Sequence, residues 1–193
     1  MINQENLFNI KQELGDSVKL IAVSKKQPDE KVSSILSLGH HVLGENYVQA
    51  LVDRHEKFKN QQVEWHMIGH LQTNKVKYIA PFIHLIHGVD SFKLLKTIDK
   101  EAAKNNRIIA CLLQLHIAKE GTKFGLDQQG LNELLSMPEL SGLKNIRICG
   151  LMGMATFTND PEQVRGEFKY LKSVFDELKS SHFKLNPEFK ELS

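Results

Sequence analysis

Cysteine is scarce in this sequence: Cys111 and Cys149 are the only two among 193 residues. Each lies inside an apolar run, and no CxxC spacing exists. That excludes a disulfide scaffold and a thiolate metal knuckle, and fits buried free thiols in a reducing compartment. No apolar run is long enough to cross a bilayer, and the opening residues read as an amphipathic helix rather than a leader peptide. Neither sign of charge dominates. The 25 Lys and Arg against 23 Asp and Glu leave a formal net charge of +2, too little to point to nucleic acid or a membrane surface. The basic residues are scattered rather than striped, as on solvated helix faces. No GxSxG elbow, no glycine fingerprint after the first strand and no HExxH motif occurs. The nine histidines include His66 and His70, then His84 and His87. No carboxylate–histidine cluster accompanies them in sequence, so no metal site is expected.

What is present is an alternation of two periodicities. A helical stripe at Leu7, Phe8, Ile10 and Leu14 precedes a first strand expected over 18–23. Helices are expected over 29–38, 46–58, 74–80, 91–102, 127–136 and 160–180. Strands are expected at 41–43, 63–68, 83–89, 108–115, 146–152 and 189–192. Asp160 followed by Pro161 is a cap and first position of a helix, and Pro81 stops a short one. The run 108–115 is apolar almost throughout, as a strand buried on both faces should be. Repeated strand–helix units without a composition break predict one domain with a parallel sheet, either doubly wound or an eight-stranded barrel.

The chain is organised around Leu20 to Pro28, LIAVSKKQP. An apolar strand ends in a polar tip, Ser24-Lys25-Lys26, and Pro28 forbids its continuation. In parallel α/β folds ligands bind at the carboxyl ends of strands. A partly desolvated amine beside a second cation is a nucleophile toward carbonyl groups. A solvated lysine pair closing a strand is the plainer reading of this segment alone. Other polar residues gather at strand ends too. They are Glu45 and Asn46 after the second strand, His66 to Lys75 around the third, His116 and Lys123 after the fifth, and Gly150 to Phe157 at the sixth. On a parallel sheet these ends share one face, which favours a functional lysine.

Taken together, AVSKKQP, LGENYVQ, EWHMIGHLQTNK, the KFG loop and GLMGMATF run in order over nearly the whole chain. They resemble the motifs of the pyridoxal phosphate homeostasis protein family. The resemblance implies a (β/α)8 TIM-type barrel like the alanine racemase N-terminal domain, here lacking its last helix and strand. It implies residues 1–193 as a single domain that carries pyridoxal 5′-phosphate. In such proteins the lysine directly after AVS forms the Schiff base, which assigns Lys25 where the residues alone left Lys25 and Lys26 open. Asn46 and His66 match positions lining the cofactor face, Met152 a position beside the ring, and Lys123 an auxiliary contact near the mouth.

Family members continue past the seventh strand into a Ser-Met-Gly-Met-Ser motif, a helix, a Gly-Ser-Thr turn and Arg-Ile-Gly. Those segments hold the phosphate and set an arginine near the pyridine nitrogen. This sequence stops at Glu191-Leu192-Ser193, with Ser193 as that motif's first serine. The principal phosphate site is therefore expected to be missing, the barrel unfinished and its strand edges open. The implied role is a cytoplasmic, monomeric cofactor carrier that buffers pyridoxal phosphate or delivers it to apoenzymes. A ring nitrogen facing arginine is a poor electron sink, so catalysis is not expected. The alternative is a racemase-like enzyme working on the same imine.

Overall fold

The computed structural model describes residues 3–119 and 124–193, so Lys123 lies outside the described residues. Seven strands lie side by side in sequence order: β1 (Ala22–Val23), β2 (Val42–Glu45), β3 (Glu64–Met67), β4 (Leu85–Val89), β5 (Ile109–Leu115), β6 (Ile146–Gly153) and β7 (Glu191–Leu192). Every neighbouring pair is parallel. Helix α1 (Gln4–Leu14) precedes β1, and between the strands run α2 (Asp29–Ser37), α3 (Val48–Lys57), α4 (Val76–Ile79), α5 (Phe92–Lys104), α6 (Gln128–Ser136) and α7 (Pro161–Ser180). This is seven-eighths of a β/α barrel, with β1 and β7 as its two edges. The sheet curls far enough that 17–19 and 21, beside β1, share a cavity of about 290 Å³ with 190–193 at β7.

Alternation along the strands divides the core in two. Trp65, Met67, Ile86, Leu113 and Leu151 face the helices and belong to the main cluster. Their neighbours Leu85, Leu112 and Met152 point the other way and form a smaller cluster with Cys149 inside the curl. Helix α5 shows why the outer layer forms: Ser91 Oγ accepts a hydrogen bond from Leu94 N–H, and Leu94, Leu95, Ile98 and Ala102 are buried at helical spacing. Full burial of each large aliphatic side chain is worth about 1.5–3 kcal/mol relative to exposure. Asp127 and Asp160 cap α6 and α7 in the same way.

Four expectations need correction. The stripe on α1 buries nothing: none of its residues is buried, and Phe8 is 59% exposed. The first strand is two residues long rather than six, because β1 is an edge whose pairing to β2 spans only Ala22 and Val23. On α7 Phe168 faces outward, and Glu167 with Val174 turns inward beside Leu171, Phe175 and Leu178. The seventh strand is also shorter than 189–192, since Phe189 serves the core instead. Fully buried, it stacks on Phe183 with ring centroids 4.2 Å apart and on Phe175 at 5.0 Å.

Candidate functional site

At the carboxyl end of β1 the chain makes a tight turn. Ser24 N–H still donates to Gly44 O across the ladder, and Gln27 N–H donates back to Ser24 O at 3.0 Å. Lys25 and Lys26 occupy the centre of this turn. Lys26 has φ 57, the left-handed region that costs a residue with a side chain about 1 kcal/mol or more. The turn is clamped at both ends. Glu45, fully buried, accepts a hydrogen bond from Ser24 Oγ at 2.9 Å and from Asn46 N–H at 3.2 Å, and faces Arg54 Nε at 3.3 Å. Arg54, reaching in from α3, donates through Nη2 to Gln27 O. One buried ion pair therefore fixes Ser24, Gln27 and Asn46 together.

Lys25 itself is exposed, and its Nζ makes no hydrogen bond or ion pair among the described residues. The half-desolvated setting expected for it is not found, because β1 has a strand on one side only. Asn46 sits one residue beyond β2, its Oδ1 buried and without a hydrogen-bond partner among the described residues. Gly69 packs against the Asn46 backbone so closely that a Cβ there would lie 2.8 Å from Asn46 Cα. Beside them opens a cavity of about 520 Å³ lined by Asn46, Tyr47, Gly69, His70 and Lys75. His70 stacks on Phe124 with centroids 4.0 Å apart and approaches Asp90 Oδ2 at 3.5 Å, tying three strand ends together.

His66 and Ser193 meet inside the curl through a third residue, His87. His66 Nδ1 and His87 Nε2 are 2.9 Å apart, and His87 Nδ1 is 2.9 Å from Ser193 Oγ. Burial, together with His87, His84 and Lys19 nearby, lowers His66 to about 3, and burial lowers His87 to about 4. Both imidazoles are neutral at neutral pH. Met152 is buried with Leu85, Leu112 and Cys149. No hydrogen bond among the described residues joins this interior group to Lys25 or Asn46.

The expectation that no carboxylate accompanies the histidines is overturned. Glu64 Oε2 lies 3.4 Å from His84 Nε2 and 3.9 Å from His66 Nε2, with Lys19 Nζ at 3.0 Å from the same oxygen. Glu64 and His66 are two apart on one strand and share a face. Register places Leu85 opposite His66, so His84 arrives beside them. Adjacency across strands leaves no mark in linear spacing.

A second carboxylate braces the loops above β5 and β6. Glu167 accepts from Thr156 N–H and, at 2.7 Å, from Thr156 Oγ1, while Lys119 N–H donates to that hydroxyl at 3.1 Å. Burial pushes the Glu167 carboxyl up, but hydrogen bonds from Gln163, from Thr156 and from the Lys119 backbone outweigh it and leave it at about 2. Sequence reasoning missed Arg54 and Glu167, and named His87 only among the histidines it set aside as metal ligands. The available signal was a polar residue within an apolar stretch: His87 in LIHGV, Glu167 on the inward stripe of α7.

Residues 3–189 match the family described as the alanine racemase N-terminal domain. A pyridoxal phosphate homeostasis protein of Aquifex aeolicus is 37% identical over 164 residues, covering 85% of this chain and 71% of that protein. One from Helicobacter pylori is 31% identical over 165 residues, covering 85% and 74%. Among solved structures, PipY of Synechococcus elongatus with PLP bound superposes with a TM-score of 0.86 at 29% identity, covering 98% of this chain and 86% of PipY. An alanine racemase of Clostridium difficile shares the fold, with a TM-score of 0.71 at 14% identity over 90% of this chain and 49% of the racemase.

Proposed function

Since this chain belongs to the pyridoxal phosphate homeostasis protein family, we propose that it binds pyridoxal 5′-phosphate through Lys25 and keeps the cofactor in reserve for apoenzymes. The observation that carries this reading is the clamped turn. It presents an amine with no competing partner among the described residues, on the rim where Asn46 Oδ1 is buried and unsatisfied among them. An orphaned acceptor next to an available nucleophile suits a ligand offering a carbonyl and polar edges. When bound, the cofactor supplies an aldehyde and a conjugated pyridine ring. Lys25 would hold it as a Schiff base, with Asn46 lining the rim. His66, Met152 and Ser193 would support it from inside the curl, the first and last joined through His87. Residues 1–193 then act as one cofactor-binding domain.

The same reading makes the protein a carrier rather than a catalyst. Its curated relatives are named for homeostasis, not for turnover. A racemase also needs an acid and a base on opposite faces of the substrate. The buried histidines are held neutral and hydrogen-bonded to one another, away from the rim. A cytoplasmic setting fits the two buried free thiols, and no described helix is long and apolar enough to cross a membrane. The racemase-like alternative predicts exchange of an amino acid's α-proton into deuterated solvent, and absence of exchange dismisses it.

The direct test is an absorbance spectrum of the purified protein with added cofactor, followed by borohydride reduction and peptide mapping. A visible band lost on reduction and a label on Lys25 are expected, with no band from Lys25→Ala. A label at another lysine, or none, overturns the assignment.

A further inference from the structure

We propose that Glu64, His66 and His84 form a binding site for a zinc-like divalent cation where β3 and β4 begin, at the end of the curl opposite Lys25. The facing atoms of the three residues lie within 4.8 Å of one another. Tetrahedral zinc with bonds of about 2.0–2.1 Å needs donor atoms about 3.3–3.4 Å apart. Glu64 Oε2 and His84 Nε2 are 3.4 Å apart, and Glu64 Oε2 and His66 Nε2 are 3.9 Å apart. A small rotation of the half-exposed Glu64 side chain would close the second gap, and the exposed His84 ring would have to draw toward His66 to complete the set.

A second, independent observation points into the same space. His66 Nε2 is buried with no hydrogen-bond partner among the described residues, in a side chain only 1% exposed. An unpaired buried nitrogen of this kind costs about 1–3 kcal/mol. The surroundings also assign its role. Metal-binding imidazoles donate their other ring N–H to a fixed acceptor. Here His66 Nδ1 can donate to His87 Nε2, and His87 Nδ1 can then donate to Ser193 Oγ. In that arrangement His66 Nε2 is a bare lone pair aimed at the cluster.

Two imidazoles, a carboxylate and one open position form a donor set that suits Zn²⁺ better than Ca²⁺ or Mg²⁺. The chain's thiols do not compete, since Cys111 and Cys149 are buried and burial pushes both up. Entry is open because the Glu64 and His84 side chains are 40% and 49% exposed. One group opposes the cation: Lys19 Nζ, 3.0 Å from Glu64 Oε2. That side chain is 51% exposed and free to swing away, so the ammonium acts as the counter-ion of the metal-free site. The proposal shares His66 with the cofactor reading but does not depend on it.

The test titrates the whole, chelator-stripped chain with Zn²⁺ against a chromophoric chelator, with Co²⁺ absorption reporting geometry. One equivalent bound at micromolar affinity or tighter is expected, with the intense visible bands of a tetrahedral cobalt site. His84→Ala and Glu64→Gln should each weaken binding by at least about tenfold, and Lys19→Met should tighten it. His84 is half exposed, so His84→Ala should keep the wild-type circular dichroism and the cofactor band described above. Failure of the metal site is thereby separated from failure of the cofactor site. No equivalent bound at micromolar zinc, or His84→Ala binding as the wild type does, overturns the proposal.

Discussion

Acidification should destabilise this protein through His66 and His87. In the unfolded chain both imidazoles titrate near 6.5, while in the fold they lie at about 3 and about 4. Both are 1% exposed, so solvent offers little screening. Their folded values are lowered, so unfolding takes up protons. Their contribution is intact above pH 6.5 and falls away as the pH drops toward 4. Each group in this window costs about 1.4 kcal/mol per pH unit, hence about 2 kcal/mol each and about 4 kcal/mol together at pH 5. Against a usual total of about 5–15 kcal/mol this loss is large. Burial lowers His40 and His55 as well, and they act in the same direction. The decisive quantity is therefore a difference between proteins. Urea unfolding at pH 7, 6 and 5, with a chelator present, should show a steep fall for the wild type and a slope smaller by about one proton for His87→Gln. Equal slopes for the two proteins, or a wild-type loss below about 1 kcal/mol between pH 7 and 5, would refute the reasoning.

Other perturbations probe the turn and the edges. Glu45→Gln should cost about 3–5 kcal/mol by leaving the Arg54 guanidinium buried without its counter-charge, and should weaken cofactor binding, both measurable by denaturation and spectral titration. Lys26→Gly should raise the denaturation midpoint by the equivalent of about 1 kcal/mol, since glycine accepts φ 57 freely, and should leave the borohydride label on Lys25. Gly150 has φ 155, and a Cβ there would collide with the Glu191 backbone. Gly150→Ala should thus cost about 2–3 kcal/mol and strip hydrogen-exchange protection from the Lys190 and Ser193 amides that bond to β6.

The parallel order of the strands and the position of Lys25 were legible because they rest on local signals. Apolar runs punctuated by Gly, Pro and capping residues mark β/α units, and Ser91, Asp127 and Asp160 cap helices as their spacing suggests. Contacts between units were not legible. The Glu64–His66–His84 cluster depends on a register between β3 and β4 that no single segment encodes. The chain from His66 through His87 to Ser193 spans 127 residues and three strands, and His87 reads locally as one polar residue in a buried strand. The outward turn of Phe8 and Phe168 escaped because a helical stripe shows which residues align, not whether anything lies opposite. Nor could the motif AVSKKQP reveal that its lysine stands in the open, since exposure there follows from β1 being an edge.

The Ser24–Gln27 turn is anchored from behind by Glu45 and Arg54, while its central amine has no tether among the described residues. If Lys25 holds the cofactor as proposed, the backbone of the turn would not have to rearrange when cargo arrives or leaves; only the torsions of one long side chain would change. Loading and unloading would then be paced by the making and breaking of a carbon–nitrogen bond, not by folding of the loop. A carrier of that kind would answer a change in demand without first coming apart.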